Sequence, residues 1–77
     1  MLIPMNPVNP KKLLLSKWTA VTPANKEKHF VVTALIEPET EGGATELVEL
    51  QAVHSGRVQH IAWRDLRDGA VWRQGWT

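Results

Sequence analysis

The chain has 77 residues, nine Lys and Arg against eight Asp and Glu, three His and no Cys. This length supports one small domain, and the missing Cys excludes a disulfide framework, a thiolate zinc site and a cysteine nucleophile. The net charge of +1 hides a segregation: residues 1–28 hold five Lys and one Glu, residues 29–56 five Glu and no Lys or Arg, and residues 57–77 four Arg and two Asp.

Taken in chain order, residues 1–10 carry Pro4, Pro7 and Pro10 with two Asn-Pro steps, a pattern that resists helix and sheet alike and predicts an extended arm. The opening MLIPMNPVNPKKLLL holds no apolar run of even seven, so neither a signal peptide nor a membrane span is expected. Together with the absent Cys this predicts a cytoplasmic protein. Residues 11–77 are expected to form a single small β domain.

KWTAV, residues 17–21, is rich in β-formers and ends at Thr22-Pro23, which predicts a short strand and a turn, with PANKEK as a polar loop. Residues 29–37 then alternate: Phe30, Val32, Ala34 and Ile36 on one face, Thr33 and Glu37 on the other, a strand that Pro38 ends. The acidic segment PETEGGAT leads to a third run, residues 46–54, with Val48, Leu50 and Ala52 on one side and Glu49 and Gln51 on the other. Ser55-Gly56 reads as a two-residue turn into RVQHIAW, which sets Val48 opposite Trp63, Leu50 opposite Ile61 and Ala52 opposite Gln59. RDLRD breaks the alternation and predicts a short helical turn at residues 64–68. Val71-Trp72 and Gly75-Trp76 supply a last short strand returning beside the first.

The predicted class is therefore mainly β: a small curved antiparallel sheet, a half-barrel or one closed by short terminal strands as an SH3-like small barrel. The expected core is Phe30, Val32, Ile36, Val48, Leu50, Ile61, Trp63 and at least one other Trp.

Four of the five aromatic residues are Trp, and three stand beside a cation: Lys17 by Trp18, Arg64 by Trp63, Arg73 by Trp72. Rings interleaved with Lys and Arg are what single-stranded nucleic acid needs, since every base has a face to stack and the cations follow the phosphates. Trp18 and Trp63 are also expected to serve the core, whereas Trp72 and Trp76, four apart in a terminal segment, are harder to bury as a pair. The candidate binding residues are Lys17, Trp18, Lys26, Lys28, His29, Arg64, Trp72, Arg73 and Trp76. Single-stranded RNA or DNA is the first candidate partner, RNA ahead of duplex DNA. A protein held by exposed Trp and Arg anchors or by a sheet edge is the second.

Catalysis is not expected. His54 and His60 fall on opposite faces of their hairpin, no HxH or HxxxH spacing exists, and no phosphate-cradling glycine motif is present, so neither a metal nor a small-molecule cofactor is implied. Asp65 and Asp68, three apart, suit capping and pairing with Arg64 and Arg67.

The combination SKWTAV, NKEKHF, WRDL and WRQGW, spread over residues 9–33, 63–68 and 71–77, resembles a family of short bacterial tryptophan-rich proteins with no assigned activity. The resemblance implies a stand-alone bacterial domain. It marks Lys17, Trp18, Lys26, Lys28, His29, Phe30, Trp63, Arg64, Trp72, Gly75 and Trp76 as motif positions, without separating those that hold the fold from those that meet a partner.

Overall fold

Alternating apolar residues drive the chain into strands, and a computed structural model, which describes residues 5–36, 42–43 and 46–77, shows how they assemble. A short 3₁₀ turn η1 (Pro10–Lys12) precedes β1 (Lys17–Ala24) and β2 (Glu27–Ile36), then β3 (Leu47–Ala52), β4 (Val58–Ala62), a second 3₁₀ turn η2 (Trp63–Arg67) and β5 (Trp72–Gln74). The five strands form one antiparallel sheet in the order β4-β3-β2-β1-β5. The last strand does return beside the first, and the helical turn lies where the broken alternation put it.

The sheet is open. β4 and β5 are its two edges, and η2 spans from one to the other across the inner face with Leu66 fully buried beneath it. The two edge strands do not pair with each other, so the barrel does not close. Trp18, Phe30, Val32, Val48, Leu50, Ala52 and Trp72 line the inner face, and Leu13 and Leu66 cover it, with Val8, Leu35, Ile61 and Trp63 packed against them. Each fully buried Leu or Val contributes about 1.5–3 kcal/mol relative to exposure. Phe30 meets Trp72 edge-on, centroids 5.1 Å apart at 88°, the geometry that the ring quadrupoles favour.

Three expectations shift in detail. The polar loop of residues 23–28 is a tight hairpin: Asn25 and Lys26 both take positive φ, 54° and 63°, the primed turn that matches strand twist. Pro23 is accommodated because the β1–β2 register is irregular between Thr19 and Ala24. The β3–β4 hairpin sets Val48 opposite Ile61 and Leu50 opposite Gln59, two residues from the expected register, since residues 53–57 form the connection instead of Ser55-Gly56 alone. A slip of two keeps every side chain on its face. Trp63 consequently bonds its backbone N–H to Glu46 at 3.0 Å and is only partly buried.

The third shift reverses a face. Val32 opposes Leu50, but Ala34 opposes Glu49 and Leu35 opposes Val48, so one extra residue is inserted at Thr33. Leu35 therefore packs on the core, and Ile36 pairs with Leu47 on the outer side. Glu37, where strand 29–37 was expected to end, lies outside the described residues, as do Pro38, Glu39 and Glu41. Of the N-terminal arm, residues 5–10 are described and are docked: Met5 bridges Asp68, and the Asn6 amide donates to the Leu66 and Trp72 carbonyls at 2.8 Å each. No described helix is long and apolar enough to cross a membrane.

An ion pair between buried Glu27 and exposed Arg57 ties the first hairpin to the β3–β4 connection. Glu27, 4% exposed, accepts from Arg57 Nη2 at 2.7 Å, from Arg57 Nε at 2.9 Å and from the Ser55 hydroxyl at 2.6 Å. Those donors, Arg57 foremost and then Ser55, hold its carboxyl at about 2, below the ordinary 4.5, against the opposing effect of burial.

Candidate functional site

The outer face of the sheet gathers side chains that sequence spacing alone leaves apart. Trp18 pairs with Phe30 and Thr19 with His29 and Arg73, so Lys17, Thr19, His29 and Arg73 all project outward while Trp18 points into the core. β5 ends at Gln74, and Gly75 follows with a φ of +79° that turns the chain back across this face. The hook is fastened at four points. Gly75 N–H donates to Lys17 C=O at 2.7 Å, the Thr19 hydroxyl donates to Gly75 C=O at 2.7 Å, and Thr77 N–H donates to that same hydroxyl at 3.0 Å. The Trp76 indole N–H donates to Phe30 C=O at 3.0 Å. His29 Nε2 lies 3.2 Å from Thr77 O. Thr19 is buried, and its hydroxyl is used as both donor and acceptor, which is why a polar group is tolerated there.

The result is a tryptophan clamped by its N–H yet 45% exposed. Lys17 Nζ stands 4.7 Å from its ring centroid, and the His29 ring lies 5.9 Å away, tilted by 34°. Arg73 is exposed beside them, whereas Lys28, exposed and next to His29 in β2, alternates onto the opposite face. Among the described residues Arg57 is the one Lys or Arg held in an ion pair, so these cations keep their charge available.

Four of the expected binding residues, Lys17, His29, Arg73 and Trp76, thus converge. Trp18 and Trp72 do not join them: at 1% and 8% exposure they are core residues and offer no ring to a ligand. Trp18 instead donates its N–H to Ser16 Oγ at 2.8 Å. Burial wins at both positions because each lies on the inner face by strand alternation. Lys26 stands at the hairpin tip, and Arg64 lies on η2, across the sheet from Trp76, with its guanidinium 5.6 Å from the Trp63 ring centroid. Sequence reasoning missed Thr19, and it marked Gly75 as a motif position without its role as the turn of the hook. The signal for Gly75 was its place between a strand and Trp76, where a chain reversal was needed.

The family described as Tryptophan-rich protein (DUF2389) matches residues 16–77. The chain belongs to it. Its description names a composition and no activity, and the matched segment runs from Ser16, the acceptor for Trp18, to Thr77 at the end of the hook. No curated protein and no solved structure matches the chain. Within this tryptophan-rich family member the four Trp fall into two kinds of position: Trp18, Trp63 and Trp72 belong to or pack on the core, and Trp76 alone is presented on the outer face. Among the described residues no group of three His, Asp or Glu is placed to hold a metal ion.

Proposed function

We propose that this protein is a non-enzymatic binding module of the bacterial cytoplasm that takes single-stranded nucleic acid, RNA in preference to duplex DNA, on the outer corner of its sheet. The observation that carries the reading is the clamped, half-exposed Trp76 surrounded by Lys17, His29 and Arg73. An open antiparallel sheet with an aromatic ring on its exposed face is a platform on which an unpaired base stacks, while neighbouring cations meet the flanking phosphates. A duplex hides its base faces and cannot use a single ring in this way. The indole N–H is already committed to Phe30 and Lys17 Nζ lies over the ring, so the indole is pre-oriented and its exposed part is what is left for a ligand.

The test is fluorescence anisotropy with a labelled oligouridine of about 12 nucleotides, at about 50 and about 200 mM salt. With Lys17 and Arg73 as the phosphate contacts, affinity falls about 7-fold over that interval. Trp76→Ala weakens binding about 5- to 150-fold at either salt, the loss of one stacked base. Absence of binding at the lower salt, or binding that Trp76→Ala leaves intact, overturns the reading.

A further inference from the structure

The two edges of the sheet are finished differently. Along β4, Arg57 C=O accepts from Ala52 N–H at 2.9 Å and Trp63 N–H donates to Glu46 C=O at 3.0 Å. Antiparallel pairing alternates, so residues 57, 59, 61 and 63 turn their backbone groups toward β3, and Val58, His60 and Ala62 turn theirs outward. The strand reads VQHIA, with no Pro, Lys or Gly, and its register with β3 is free of bulges. Among the described residues, no Pro, Lys or bulge guards this edge. At the opposite edge the Trp72 carbonyl is taken by the Asn6 amide and Gln74 is tied to the Pro7 carbonyl at 2.7 Å, while the free end of β1 carries Pro23 and an irregular register.

Beside β4 on the inner side lies a groove of about 580 Å³ between the strand and η2. Ile61, Val71 and Trp72 give it apolar walls, and Arg64, Asp65 and Asp68 give it a charged rim. Neither aspartate is ion-paired with a described residue; Asp68 Oδ1 accepts from Ala70 N–H at 2.9 Å. A strand added to β4 would lay every second side chain over this groove.

We propose that β4 accepts an extended segment of another protein by strand addition, with an apolar side chain in the groove and a Lys or Arg two positions along it meeting Asp65 and Asp68. The two carboxylates disfavour phosphate, which sets this edge apart from the Trp76 corner. They suit a second copy of the chain less, because Arg57, the cation that a neighbouring β4 would bring near them, is already held by Glu27.

The test uses the full chain, labelled with ¹⁵N, and the peptides TVTKTVT and TVTETVT, whose second, fourth and sixth residues share a face. The Lys peptide, at up to about 2 mM, shifts the amides of Val58, His60 and Ala62, and the Glu peptide binds at least about fivefold more weakly. His60→Pro removes an N–H that faces away from β3 and abolishes the shifts. Asp65→Lys, an exposed change that leaves the ladder intact, reverses the preference between the peptides and carries the test if the proline variant does not fold. No shift, shifts away from β4, equal response to both peptides, or a dimer in sedimentation that His60→Pro converts to monomer overturns the proposal.

Discussion

On the inner face of the sheet Trp18 and Trp72 are sealed to 1% and 8% exposure, whereas on the outer face Trp76 keeps 45% while its N–H is held as firmly as that of Trp18. The inner rings are fixed by what surrounds them: Phe30 edge-on, Leu66 from η2, and the docked N-terminal segment. The outer ring is fixed by a backbone hook that touches one side of it. The same residue type therefore serves cohesion on one face and presentation on the other, and the difference lies in strand alternation and one glycine, not in the tryptophan.

The sharpest way to break this comparison is to truncate each kind of ring. Trp18→Ala costs about 3–5 kcal/mol, against a total stability of about 4–11 kcal/mol for a chain of this size. Urea denaturation will find it stripped of at least about a quarter of that stability. Trp76→Ala loses a hydrogen bond and a cation–π contact, about 1–2 kcal/mol, and stays folded. Equal losses at the two positions would show that Trp76 is a core residue in disguise.

Between these sits an effect of pH. The Glu27 carboxyl is held at about 2 against an ordinary 4.5, so folding favours its ionised form. Its contribution is complete above about 4.5 and drains away as pH falls toward 2. Thermal melts across that window will show wild type losing stability with acid, and Glu27→Gln, already weaker at neutral pH, losing less of it.

Smaller effects sharpen the account of the hook and the hairpin. Gly75→Ala meets no atom within 4 Å of the added carbon but forces an L residue to φ +79°, costing about 1–2 kcal/mol. It also loosens Trp76, read as faster acrylamide quenching of that indole. Lys26→Gly relieves the same strain at the hairpin tip and raises stability by about 1 kcal/mol in the same denaturation assay.

Strand faces were legible because alternation survives errors of register. The β3–β4 hairpin was misplaced by two residues, and its core side was still correct. Ile36 was misassigned because a bulge leaves no mark in an apolar run: FVVTALI alternates smoothly through the extra residue at Thr33. The first hairpin was hidden by Pro23, which suggests a loop, and by Asn25-Lys26, which lacks the glycine that usually announces a primed turn. For the site, the cations and Trp76 could be nominated from composition. Their convergence depended on Gly75 and on the β1–β5 pairing, long-range features that no local window contains. Leu13 and Leu66 entered the core from segments with no strand pattern, so periodicity could not select them.

If Trp76 meets the ligand while the other three tryptophans build the fold, the four indole N–H signals of the ¹⁵N-labelled protein report on it directly. Titration with the oligouridine at low salt is predicted to move the Trp76 indole, together with the amides of Lys17, His29 and Arg73, and to leave Trp18 and Trp72 in place. A still Trp76 signal, or one that moves only as much as the buried pair, would contradict the account.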